Sequence, residues 1–227
     1  MRGLHRNLVL LILAFTSLSL FSKEEIPVSI TWKGEPFVFD SLYISSQDDT
    51  LRLDKFYIYL SSFQVVKKDG EVEREKNSFH LLKYSDSITT ATIAWQPSLG
   101  ILSQDISFNV GIDSVTNTSG ALDGDLDPGL GMYWAWHSGY VNFKLEGESS
   151  SCNTLKNKFQ FHIGGFEFPK KTLRNVVLKD FKQDSKIEVD LSLFFNDVRL
   201  SELNSITTVS QDAVKIADLF TKCFQVK

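Results

Sequence analysis

Hydrophobic and polar positions alternate with period two along most of this chain. Val28, Ile30 and Trp32 alternate with polar neighbours, which predicts an early strand, and Gly34-Glu35-Pro36 breaks it. Residues 51–66 put Phe56, Ile58 and Leu60 on one face with Tyr57 and Tyr59 on the other, and Asp69-Gly70 then signals a hairpin turn. Ile106, Phe108, Val110 and Ile112 form another alternating set, and Ile187, Val189, Leu191 and Leu193 form one more over residues 187–194. Shorter strands read at 79–82, 140–145, 158–163 and 176–178. Such alternation marks sheets with one buried and one solvated face, so antiparallel pairing is expected over a parallel α/β sheet. The expected fold is all-β, an antiparallel β-sandwich or flattened barrel with loops gathered at its ends.

The period changes near the C-terminus. Ala213, Val214, Ile216, Ala217, Phe220, Cys223 and Phe224 make a helical stripe over residues 211–224, with Ser210 as N-cap. This C-terminal helix is expected to pack across one end of the sandwich. The alternative, an interfacial membrane helix, has only Lys215 and Lys222 for its basic face. Helical turns are also expected at 87–94 and 197–203.

The N-terminus reads differently. Arg2, His5 and Arg6 precede an apolar run from Leu8 to Phe15, then small residues at Ser17, Ser19 and Ser22 and the polar Lys23-Glu24-Glu25. That is the pattern of a secretory signal peptide over residues 1–22, leaving a single domain over 23–227 and a periplasmic or secreted protein. The apolar run is shorter than the ~20 residues of a spanning helix. With 42% hydrophobic and 23% charged residues the chain can bury one good core, and a net charge of −4 excludes the basic footprint of nucleic-acid binding. Cys152 and Cys223 remain after export. In an oxidising compartment they suggest a disulfide worth about 3–5 kcal/mol on the chain-entropy model; free buried thiols or soft copper ligands are the alternatives.

Candidate chemistry concentrates in residues 120–147. Trp134, Trp136 and His137 fall within four positions, just after Asp123, Asp125 and Asp127. Histidine is the commonest metal ligand, and His162, in Phe159-Gln-Phe-His-Ile-Gly-Gly165, shares an outer strand face with Gln160. Two imidazoles from different strands make a site that soft Cu(I) accepts; the competing reading is two ordinary strand histidines. If the 134–137 stretch is extended, Trp134 and Trp136 share a face and His137 points away unless a bulge re-aims it. Either Trp also reads as plain core. Asp123, Asp125 and Asp127 are spaced as in a calcium loop, but Pro128 stands where an EF-hand needs Gly, so a looser calcium site or a solvated turn remains. Asp113 and Asn117 are candidates for further oxygens. His80 has no companion ligands in its strand. No G-x-S-x-G elbow, H-E-x-x-H or glycine-rich phosphate loop is present, so an enzyme is the least expected class.

The run Gly131-Met-Tyr-Trp-Ala-Trp-His-Ser-Gly-Tyr140 resembles the MbnP-like family of exported copper-binding proteins. The likeness extends through Gly-Asp-Leu-Asp-Pro128, Asn142-Phe-Lys-Leu-Glu-Gly147, Phe56-Tyr-Ile-Tyr-Leu-Ser-Ser-Phe63 and Phe161-His-Ile-Gly-Gly165. What the resemblance implies is a β-sandwich binding copper through histidines and a tryptophan oxidised to kynurenine by a partner di-haem cytochrome of the MauG/cytochrome c peroxidase type. Carried over by motif, His162 is one histidine and Trp134 or Trp136 the oxidised residue. The Trp-x-His spacing of the methanotroph relatives is not reproduced by Trp136-His137, which puts His137 in question as a ligand. Calcium in a relative adds weight to the Asp123, Asp125 and Asp127 loop. The second hypothesis is a metal-free structural or interaction module of the cell envelope, with Trp134 and Trp136 as core.

Overall fold

The computed structural model describes residues 25–99, 104–137 and 139–227; the segment 1–22, expected to be a signal peptide, lies outside them. The strands run β1 (Ile26–Trp32), β2 (Glu35–Pro36), β3 (Tyr43–Ile44), β4 (Thr50–Val66), β5 (Val72–Arg74), β6 (Phe79–Tyr84), β7 (Thr90–Ile93) and β8 (Gln104–Val110). After helix α1 (Ser114–Thr118) come β9 (Tyr133–Trp134), β10 (Gly139–Ser149), β11 (Lys158–Gly164), β12 (Arg174–Phe181) and β13 (Ile187–Asp190). Helix α2 (Leu191–Asp197), β14 (Ser205–Ile206), helix α3 (Gln211–Phe220) and β15 (Phe224–Val226) complete the chain.

These strands form two sheets facing one core. The smaller runs β15-β13-β1-β2, with β7 also on β1. The larger runs β12-β8-β4-β10-β11-β14, with β3, β5 and β6 also on β4 and β9 on β10. The long strand β4 is the spine: one edge takes β10 and then β8, the other β3, β6 and β5. The expected all-β sandwich is present, with two departures from all-antiparallel pairing. Strands β1 and β13 pair in parallel, as do β11 and β14, across connections far longer than a hairpin. Inward residues of both sheets, among them Val28, Ile30, Phe56, Ile58, Phe108, Phe143 and Phe161, join in one apolar cluster.

Helix α3 forms where the stripe predicts it, capped by Ser210, whose hydroxyl accepts the Ala213 N–H at 3.0 Å. It buries Ala213, Ile216, Ala217 and Phe220 against the core, the Phe220 ring stacking on Phe143 at 4.2 Å. It stops at Phe220. Phe224 reaches the same core from a strand instead, paired with Val189 and edge-on to Phe108.

The strand expected over 187–194 ends at Asp190. There the Asp190 carboxylate accepts the Ser192 N–H at 2.9 Å and starts α2, which buries Leu191, Phe194 and Phe195 at helical spacing. The helical turn expected at 87–94 is instead β7 on β1, and 197–203 closes in turns onto the Arg199 carbonyl. Cys152 and Cys223 are free, buried thiols, which removes the disulfide reading. Burial, with Asp49 nearby, pushes the Cys152 thiol up to about 11, and its Sγ faces the Leu200 carbonyl at 3.9 Å.

A second apolar cluster lies on the outer face of the large sheet. Tyr57 and Tyr59 of β4 and Leu81 of β6 would be solvated there, but residues 120–134 fold back over them. Leu126, Met132 and Trp134 thereby join Tyr59, Tyr140 and Val141. The Tyr59 and Tyr140 hydroxyls donate to the carbonyls of Asp125 (2.7 Å) and Leu126 (2.9 Å), stitching the segment down.

Candidate metal centre

Two of the three aspartates of the folded-back segment accept backbone N–H groups, one from β6 and one from the segment itself. Asp125 accepts the Leu81 N–H at 3.0 Å, and Asp127 accepts the Gly129 N–H at 2.7 Å to cap a short 3-10 turn. Asp123 heads the preceding turn without a side-chain cap bond. Asp113 caps α1 through the Thr116 N–H, and Asn117 spans the Ile112 carbonyl and the Tyr140 N–H, so neither joins the loop as an oxygen ligand. Among the described residues no group of three or more His, Cys, Asp or Glu side chains is placed to hold a metal ion. The calcium-loop spacing therefore does not assemble a carboxylate cage.

The aromatic run behaves differently from an extended strand. Trp134 pairs with Gly139 at the mouth of the β9–β10 hairpin, and the His137 N–H closes a turn on the Trp134 carbonyl at 3.1 Å. That turn, rather than a bulge, gathers all three rings. Trp134 and Trp136 lie 5.3 Å apart between centroids, Trp136 and His137 5.4 Å, and Trp134 and His137 6.4 Å. The shared face expected for an extended Trp134 and Trp136, with His137 turned away, does not exist. Trp134 is buried at 7% exposure, while Trp136 at the tip is 63% exposed. Trp136 and His137 line a cleft of about 360 Å³ with Glu167, Phe168, Pro169 and Lys170. The Phe166 ring lies 6.1 Å from the His137 ring between centroids.

Trp134 reaches β11 at Gly164. A Cβ there would stand 2.8 Å from Trp134 Cζ3 and 2.8 Å from the Tyr140 carbonyl oxygen, so only glycine lets the indole lie against the strand. Phe159, Phe161 and Ile163 turn into the core, which places His162 and Gly164 together on the outer face. His162 and the indole thus meet the same face two residues apart, without a ring-to-ring contact among the described residues.

The His162 imidazole is held from the neighbouring strand. Its Nε2 lies 2.7 Å from Glu146 Oε1, and Lys55 donates to Glu146 Oε2 at 2.9 Å. The hydrogen bond to His162, then the Lys55 ammonium, holds the Glu146 carboxyl down at about 2. Lys144, directly opposite His162 in the ladder, donates to the Gly131 carbonyl at 2.6 Å, and burial lowers its ammonium pKa. Sequence reasoning missed Glu146, Lys55 and Gly164. Glu146 and Lys144 alternate with the inward Leu145 and Phe143, but their meeting with His162 needs the β10–β11 register. His80, expected to stand alone, contacts Glu75 at 2.8 Å and lies edge-on to Phe63.

What these features define is a two-sheet β scaffold whose larger sheet carries an aromatic and imidazole face beneath a folded-back loop. The chain belongs to the MbnP family, whose profile matches residues 22–210. It is similar in fold to MbnP from Methylosinus trichosporium, at 14% identity over 82% of this chain and 81% of that one, with a TM-score of 0.57. No curated protein matches the sequence. No helix among the described residues is long and apolar enough to cross a membrane.

Proposed function

We propose that this protein is exported and binds copper on the outer face shared by Trp134 and His162, handling the metal without turning over a substrate of its own. The observation that carries the reading is the Trp134 ring against Gly164, two residues from an imidazole fixed by a carboxylate. With Nε2 turned to Glu146 Oε1, the other ring nitrogen, Nδ1, is the ligand atom of this reading, the carboxylate–histidine arrangement that orients metal ligands. His137, within 6.4 Å of the same indole, is the second imidazole of the reading. Two imidazoles and one indole-derived group suit soft Cu(I), which does not require three anionic or imidazole ligands. Copper held there would supply one-electron redox chemistry in an aromatic surround.

In this reading Trp134, not the exposed Trp136, is the indole opened to kynurenine by a di-haem partner cytochrome of the MauG/cytochrome c peroxidase type. Two oxygen atoms enter across the indole double bond, and hydrolysis releases the formyl carbon as formate, leaving an aryl amine and a ketone on the sheet face that also carries His162. The competing reading, a metal-free interaction module, draws on the absence of a three-ligand His, Cys, Asp or Glu cluster among the described residues.

Competitive titration of the purified protein with Cu(I) and a chromophoric chelator separates the two. One tight site is expected, lost in His162→Ala and weakened in His162→Gln. Equal, weak copper uptake by wild type, His162→Ala and His137→Ala would favour the metal-free module.

A further inference from the structure

Trp136 is a large apolar ring kept in water. At 63% exposure it gains little from burial, and the turn that carries it closes through the His137 N–H on the Trp134 carbonyl. Its one close indole neighbour is Trp134, which is 7% exposed and enclosed by Gly164 and the second apolar cluster. A bulky oxidant cannot lay its redox group against a side chain so enclosed. Among the described residues the ring neighbours of Trp134 are Trp136 and His137, and of these Trp136 is the readily oxidised one. Tyr133 and Tyr59 pack on Tyr140 and share no ring contact with Trp134.

We infer that Trp136 is the electron-exit site of this protein, the surface indole through which an external one-electron oxidant draws electrons from buried Trp134. The inference rests on the reading above only in taking Trp134 as the residue oxidised. One electron leaves Trp136 for the oxidant, an outer-sphere metal complex or a high-valent haem, and one electron from Trp134 then refills Trp136. No bond forms or breaks and both indole N–H protons stay in place; the net change is an oxidant reduced by one electron and a radical cation on Trp134. Centroids 5.3 Å apart, with planes tilted by 37°, put the two rings in contact for this transfer. The cleft beside Trp136, bordered by the exposed Phe168, leaves the approach open.

The test uses metal-free full-length mature protein and photogenerated tris(bipyridine)ruthenium(III), with peptide mapping to locate oxidised tryptophan. Wild type is expected to accumulate oxidation on the Trp134 peptide. In Trp136→Phe, which keeps an aromatic ring at the tip, that oxidation falls severalfold, and in Trp136→Tyr, whose phenol can relay, it recovers. Trp134→Phe lengthens the lifetime of the indole radical seen by transient absorption. Trp134 oxidation in Trp136→Phe at the wild-type level, or a wild-type radical that never leaves Trp136, overturns the relay. Copper is absent throughout, so a failed copper titration and a failed relay are separate results.

Discussion

At Gly164 a single hydrogen atom decides whether Trp134 can lie against the sheet. A methyl group there meets both the indole and the Tyr140 carbonyl at 2.8 Å, and the carbonyl belongs to a paired strand that cannot swing aside. Gly164→Ala is therefore expected to cost about 1–3 kcal/mol, as overpacking of a filled site does. Urea unfolding followed by tryptophan fluorescence checks this; an unchanged midpoint and spectrum would mean that the indole is not seated there. Glu146 gives the pH prediction. Its carboxyl sits at about 2 in the fold against an ordinary 4.5. A depressed folded pKa gives stability that is complete above the ordinary value and is lost as pH falls from about 4.5 towards about 2. In metal-free protein the urea midpoint should fall across that window, and Glu146→Gln should flatten this part of the profile. At this scale the sequence singled out His162 and both tryptophans as candidates, but not Glu146, whose meaning comes from a neighbour sixteen positions away.

The elements were legible wherever one periodicity ruled. Phe56, Ile58 and Leu60 alternate inward along β4, and Ala213, Ile216, Ala217 and Phe220 define α3, because each set faces one core in one geometry. Leu191 and Leu193 continue the alternation of β13 yet belong to α2, since local capping by Asp190 outweighs two more positions of strand pattern. The hairpin tip failed for a related reason: a turn at residues 134–137 abolishes the period of two on which facing was reckoned. Asp190 does more than cap. It also accepts the N–H groups of Lys33 at 3.0 Å and Gly34 at 3.1 Å, tying α2 to the end of β1. Ser210→Ala should cost the about 0.5–2 kcal/mol of a lost cap, and Asp190→Ala distinctly more, because it strands further donors. Equal losses in chemical denaturation would show that the β1 contacts contribute nothing.

Over the whole molecule, the sandwich was readable as a class, whereas its pairing order was not. Nothing in local pattern says that β1 lies parallel to β13 or that residues 120–134 fold back over Tyr57 and Tyr59. Those contacts join segments distant in the chain, and the Trp134–Gly164 contact depends on them. The thiols make the point in another way: two cysteines in a chain expected to be exported suggest a bridge, but Cys152 and Cys223 are each separately buried. Neither should react with a water-soluble disulfide reagent in the native state, since burial raises both thiol pKa values. Both should react on unfolding without reductant. A failure to titrate two thiols in the unfolded protein would contradict the fold as described.

The decisive measurement is anomalous diffraction at the copper edge from crystals loaded with Cu(I). The account predicts a single strong peak at His162 Nδ1. A peak elsewhere on the surface, or none in crystals grown with excess copper, would contradict it.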